Sequence, residues 1–278
     1  MGKQYKKMQR DIGENMIIDT HCHLDDKSYY EDLDEVIKRA CEHDVKGFLI
    51  PGADPKDLKR AKEISYSYDN TYFATGVHPY HSGDYDEKYL LKFANDPKCI
   101  AVGECGLDYY RLPKEHEEKE KEKRRQKEVF IKQIELAKKI KKPLIIHIRE
   151  ATHESKEILV KNGAKEVGGV LHCFNASEDL LELSDYGFYF GIGGVITFKN
   201  AKKLVAVLPK IPIEKLIVET DAPYLTPHPH RGGRNEPYYT TFVVEKIAEI
   251  LGKSYDEISD ITSFNSKKLF KEFQNIRG

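Results

Sequence analysis

The sequence is poor in cysteine: it has five among 278 residues, an odd number, and no C-x-x-C pair. That excludes a disulfide framework and points to a reducing, cytoplasmic setting. Long apolar runs are also missing, none approaching the roughly 18 residues of a membrane-spanning helix. The first fifteen residues, MGKQYKKMQRDIGEN, lack the apolar stretch of a signal peptide. Residues 1–15 are expected to form a disordered extension and 16–278 a single folded domain. Neither sign of charge prevails, since 45 Lys and Arg face 46 Asp and Glu for a net charge of −1. A protein that holds long nucleic acid by its backbone carries a basic face. A nucleic-acid substrate would here have to be gripped by metal ions and a few local cations.

What is present is a globular composition, 40% hydrophobic and 33% charged, in which short β-rich runs alternate with helical patterns. The strands are expected at Met16–Leu24, Val45–Pro51, Thr71–His78, Cys99–Leu107, Pro143–Arg149, Gly168–Phe174, Phe188–Gly194 and Leu216–Ala222. Helical stretches include Tyr30–His43, Pro55–Tyr66, Glu115–Ile140 and Thr152–Asn162, with Tyr239–Leu251 and Ser254–Phe273 after the last strand. Strict alternation implies a parallel sheet covered by helices. Eight units, at a length near the ~250 residues of a closed (β/α)8 barrel, fit that α/β fold. No G-x-G-x-x-G follows a strand, which disfavours a dinucleotide fold.

Strand ends carry the chemistry. The first ends in Asp19-Thr20-His21-Cys22-His23, and residues two apart on a strand share a face, so His21 and His23 are expected to enter the barrel mouth together. Glu104, His147, His172 and Asp221 stand after the apolar runs of strands four, five, six and eight. Barrel enzymes keep their sites at that mouth. Six such residues exceed what one catalytic zinc takes from a protein and fit two divalent cations that share a carboxylate. Glu104, from a strand midway round the barrel, is the natural bridge. Asp221 can bind metal and accept a proton from an attacking water.

The motifs Asp19-Thr20-His21-Cys22-His23-Leu24, Gly76-Val77-His78-Pro79, Gly103-Glu104-Cys105-Gly106-Leu107-Asp108-Tyr109, Leu171-His172-Cys173-Phe174 and Val218-Glu219-Thr220-Asp221-Ala222-Pro223-Tyr224-Leu225 resemble the TatD family of metal-dependent deoxyribonucleases. Pro229–Gly232 and Asn235-Glu236-Pro237 extend the match, which runs from Met16 to near the C-terminus. The resemblance implies a TIM barrel of the amidohydrolase type. It implies one metal on His21, His23, Glu104 and Asp221 and a second on Glu104, His147 and His172. The implied activity is hydrolysis of DNA phosphodiesters from the 3′ end of single-stranded or frayed DNA. A mixed His and carboxylate set accepts zinc, manganese or magnesium.

Several residues carry two readings. His78 is expected either to donate to a substrate phosphate or metal-bound water, or to fix its loop through Pro79. Arg149 is expected to meet a phosphate, a structural carboxylate being the alternative, and Arg231 and Asn235 are expected to contact substrate, with the backbone of their own loop as the alternative. Asp19 and Glu219 are expected to face inward and orient histidines. Cys22, Cys105 and Cys173 should turn outward and pack between barrel and helices. Tyr109 and Tyr110 could stack on a base or lie buried. The charged run Lys114–Lys127 reads as a solvated helix face, with Arg124 and Arg125 the alternative phosphate contacts. Two functions compete with nuclease activity: hydrolysis of a small cyclic amide, lactone or ester, and a metal-stabilised scaffold without turnover.

Overall fold

The structure, a computed structural model, describes residues 16–276, so the expected extension at residues 1–15 lies outside the described residues. Eight strands follow the chain: β1 (Ile17–Asp19), β2 (Val45–Ile50), β3 (Thr71–Thr75), β4 (Cys99–Asp108), β5 (Leu144–Arg149), β6 (Gly169–Leu171), β7 (Phe188–Ile192) and β8 (Leu216–Val218). Each pairs in parallel with the next. Closure occurs just past the regular ends of β1 and β8. Thr20 N–H donates to Val218 O at 3.2 Å and Asp221 N–H to His21 O at 2.9 Å, and Cys22 bridges Ala222. The expected strands Met16–Leu24 and Leu216–Ala222 therefore stop early as ladders, because their last residues form this seam.

Period-two alternation divides the strand residues between two cores. Ile18, Leu49, Ala74, Ile145, Val170 and Ile217 fill the barrel, with Phe270 and Phe273 packed among them. Phe48, Phe73, Leu144, Ile146, Phe190 and Val218 face outward. There they meet the helices α1 (Leu33–Glu42), α2 (Leu58–Ser67), α3 (Glu87–Ala94), α4 (His116–Ile140), α5 (Thr152–Lys161), α6 (Lys202–Val207), α7 (Thr240–Leu251) and α8 (Tyr255–Leu269). The β6–β7 connection is a 3₁₀ stretch, Glu178–Tyr186. This is the (β/α)8 barrel that the alternation predicts.

Helix α4 positions part of the mouth. Glu115 caps its start by accepting from Glu117 and Glu118 N–H. Its buried stripe begins only at Gln126 and continues through Val129, Phe130, Gln133, Ile134 and Ala137, a helical spacing. The charged turns before Gln126 are solvated, as the mixed charges predict. Arg125 pairs with Glu122 and donates to Ser82, so it braces the loop after β3 instead of waiting for a phosphate. Two buried glutamines hold the ends of neighbouring strands. Gln133 exchanges hydrogen bonds with both Val77 N–H (2.8 Å) and Val77 O (2.9 Å), and Gln126 accepts from Asp108 N–H at 3.0 Å.

Candidate metal centre

His21, His23, Glu104, His147, His172 and Asp221 converge at the C-terminal mouth. The two oxygens of Glu104 face two different sets of nitrogens. Oε2 lies 3.4 Å from His21 Nε2 and 3.8 Å from His23 Nε2. Oε1 lies 2.9 Å from His147 Nδ1 and 3.1 Å from His172 Nε2. Asp221 Oδ1 completes the first set, 3.7 Å from His21 Nε2 and 3.4 Å from His23 Nε2, and these two nitrogens are 3.3 Å apart. In the second set His147 Nδ1 and His172 Nε2 are separated by 3.4 Å.

These spacings test whether a cation fits. Donors about 2.0–2.2 Å from a tetrahedral ion stand about 3.3–3.6 Å from one another, and neighbours round an octahedral ion with ~2.1 Å bonds stand about 3.0 Å apart. Both sets span such edges, and His21, His23 and Glu104, and likewise Glu104, His147 and His172, lie close enough together to hold an ion, as do His21, His172 and Asp221. The electrostatics of the cluster agree. Burial opposes charge on Glu104 and Asp221, yet the surrounding histidines hold Glu104 well below, and Asp221 below, the usual carboxylate range. Burial likewise opposes charge on His23, but Asp221 and Glu104 raise its pKa to about 9. Burial opposes charge on His172 too, and Glu104 and Glu219 raise it well above normal.

Supporting groups fix the far side of two imidazoles. His147 Nε2 lies 2.9 Å from Asp108 Oδ2, and His172 Nδ1 lies 3.3 Å from Glu219 Oε1, an ion-pair separation without hydrogen-bond alignment. Such carboxylates set the tautomer and orientation of a ligating ring. Asp108 escaped the sequence reading because the fourth strand was expected to end at Leu107. The observed β4 reaches Asp108, four residues beyond Glu104 and hence on its face, which is the signal that could have found it. Glu219 behaves as expected. Asp19 does not, because its carboxylate accepts from Thr220 N–H, Thr220 Oγ1 and His21 N–H. It locks the β1–β8 seam and touches no ring.

The remaining candidates separate. His78 reaches the cluster: its ring packs edge-on against His147 (4.4 Å), and its Nε2 is 3.6 Å from Glu104 Oε1. Its Nδ1 accepts from Tyr80 N–H at 3.1 Å, so it also fixes its loop. Arg149 is exposed at the rim, with its guanidinium 3.7 Å above the Tyr110 ring. Arg231 donates to Thr226 O and lies over Phe198. Asn235 must be corrected. It is fully buried, and its amide is spent on Thr220 O, Tyr224 O and Glu236 N–H, so it shapes the loop and is closed to substrate. Cys22 and Cys105 pack in the outer core as expected. Cys173, at a left-handed φ of 43°, is only half-buried and stays out of that layer. Tyr109 is tied to Glu154, whereas Tyr110 is exposed.

Comparison with known proteins gives the same picture. The family model described as TatD related DNase matches residues 18–271. The metal-dependent hydrolase YabD of Bacillus subtilis is 44% identical over 262 residues, 92% of this chain and 99% of that protein. The 3′-5′ ssDNA/RNA exonuclease TatD of Salmonella typhimurium is 33% identical over 266 residues, 92% of this chain and 99% of its own length. The crystal structure of YjjV, a TatD homologue from Escherichia coli, superposes with a TM-score of 0.84 at 28% identity, covering 92% of this chain and 98% of that one. Among the described residues no helix is long and apolar enough to cross a membrane. With barrel, mouth and sequence in agreement, the chain belongs to the TatD family and is a metal-dependent hydrolase.

Proposed function

We propose that this hydrolase cleaves DNA phosphodiester bonds, removing nucleotides from the 3′ end of single-stranded or frayed strands. The observation that carries the reading is Glu104, whose two carboxylate oxygens serve two separate nitrogen sets 3.8 Å or less away. His21, His23, Glu104 and Asp221 would hold one divalent cation and Glu104, His147 and His172 a second, with zinc, manganese or magnesium as the candidates. When bound, such a pair supplies an acidified water and positive charge beside a phosphate. The exonuclease activity named for the Salmonella relative supports the choice of substrate.

The chain's own groups do the rest. Asp221 turns Oδ1 toward His21 and His23 and takes the proton of the attacking water on its carboxylate. His78 is a neutral donor: burial pushes its pKa down to about 3. Because Nδ1 accepts from Tyr80 N–H, the remaining proton is assigned to Nε2, which faces the centre and donates to a phosphate oxygen. Asp108 and Glu219 keep His147 and His172 aimed. Arg149 offers its guanidinium edge to a neighbouring phosphate.

The test is product analysis on 3′- and 5′-labelled single-stranded DNA with manganese, magnesium and zinc. The expected result is 5′-mononucleotides released progressively from the 3′ end. Asp221→Asn should retain the fold and lose about 10²–10⁴-fold in turnover, the range of a lost general base. Near-normal turnover in that variant with metals bound would refute the role of Asp221.

A further inference from the structure

Exposed aromatic surface is concentrated at one end of the barrel. Six large hydrophobic side chains are exposed among the described residues, and four of them, Tyr30, Tyr80, Tyr110 and Tyr224, stand on the loops that leave the strands at the mouth. The other two, Tyr66 and Val160, lie at the far ends of α2 and α5. Singly exposed apolar side chains need no explanation, whereas four that share one end of the barrel mark an interaction surface.

Three of these rings lie beside the metal centre, Tyr80 against His78, Tyr224 against His23 and Tyr110 on Asp108, and they approach it from two sides. On one side Tyr80 packs edge-on against His78 at 4.7 Å, and His78 packs against His147 at 4.4 Å. Tyr80 carries the Arg111 guanidinium 5.4 Å from its ring centre and Tyr110 that of Arg149 at 3.7 Å, and the Tyr80 hydroxyl and the Tyr110 N–H both face Asp108. Tyr110 is anchored where it stands, because its N–H donates to Asp108 Oδ1 at 2.9 Å. On the other side Tyr224, 54% exposed, meets His23 edge-on at 5.9 Å. The first wall rises from β3, β4 and β5 and the second from β8. In a closed barrel of eight strands in chain order, β4 and β8 lie on opposite arcs.

The geometry points to two nucleobase platforms that flank the scissile phosphate, the Tyr80–Tyr110 wall on one side and Tyr224 on the other. Each accepts the unpaired base of one adjoining nucleotide. The inference rests on the phosphodiesterase reading above and names how that site holds its strand. Bases stack on aromatic faces regardless of identity, and guanidinium groups add cation–π contacts. A net charge of −1 provides no overall attraction for a polyanion, and stacking supplies what the net field does not. A paired base is already stacked on its neighbours, so such platforms favour single strands and frayed ends.

Binding decides the matter independently of turnover. Manganese-loaded Asp221→Asn protein is titrated against a 5′-fluorescein-labelled thymidine pentamer and against the same pentamer with all bases removed. Tyr110→Ala and Tyr224→Ala should each weaken binding of the thymidine strand roughly ten-fold, and should leave binding of the abasic strand unchanged. Tyr110→Phe and Tyr224→Phe, which keep the ring, should bind as the parent does. Pentamers abasic at one position should cancel the two alanine effects at different positions, one on each side of the phosphate. Four results would overturn the proposal: no binding of either strand, alanine variants that bind the thymidine strand normally, equal losses on the abasic strand, or phenylalanine variants as weak as alanine ones. Hydrolysis of methyl p-nitrophenyl phosphate by the unsubstituted holoenzyme tests the phosphodiesterase reading separately. Failure there with stacking intact would remove the chemistry and leave the platforms.

Discussion

Two imidazoles at the centre each have a carboxylate on their far side. Asp108 holds His147 through Nε2, leaving Nδ1 for the centre. Asp108→Asn keeps the shape and removes the charge, so affinity for the cation on the Glu104–His147–His172 side should fall about 10–100-fold, measured by competition with a chelator. Glu219 is held in place by an absence. A Cβ built on Gly191 would collide with Glu219 Oε2, so the glycine leaves room for the carboxylate. Gly191→Ala should therefore displace Glu219 and reproduce the metal loss of Glu219→Gln, although residue 191 binds nothing itself; normal metal affinity in Gly191→Ala would contradict this. At this scale the sequence was most legible where chemistry and strand parity coincide. All six candidate ligands converge because a His or carboxylate closes an apolar run. The expectation for Asn235 fails because a polar residue in a Pro- and Gly-rich loop looks exposed, and only the fold shows Thr220 and Tyr224 turning their carbonyls onto its amide. Asp108 was missed because a single residue of strand length decided its face.

At the scale of elements, α4 couples the helical layer to the mouth. Gln133 satisfies both backbone groups of Val77, the residue before His78. Gln133→Leu would leave a buried N–H and a buried C=O unpaired, at a cost of about 1–3 kcal/mol for each unsatisfied group. Urea denaturation should show that loss. Turnover should fall as well, because the His78 loop loses its anchor. A variant with full stability would mean that water replaces the amide. The order of strands and helices was readable from periodicity, and so was the solvated start of α4. The ends were harder. β1 and β8 leave the ladder early because their last residues must cross-bond at Cys22 and Ala222 to close the barrel. The β6–β7 connection wound into 3₁₀ turns. Neither outcome has a local signature, since both are set by what the chain meets on the far side of the sheet.

Charge acts over the whole molecule. The chain carries 45 basic and 46 acidic residues, and many are spent on one another across the helical surface, as in Lys62–Asp96, Lys156–Glu182 and Lys210–Glu178. Cations at the mouth are few, and three of them, Arg111, Arg149 and Arg231, lie on aromatic faces. A strand bound here neutralises only the phosphates next to these groups and the metal centre. Each phosphate neutralised on a single strand contributes about 0.7 to the slope of log affinity against log salt. With about two to four counterions released, oligonucleotide affinity should fall only modestly between low and physiological salt. Stacking, being uncharged, should persist, so the penalty for Tyr110→Ala should be the same at both salt concentrations. A slope near ten would require an extended basic track and would overturn this expectation.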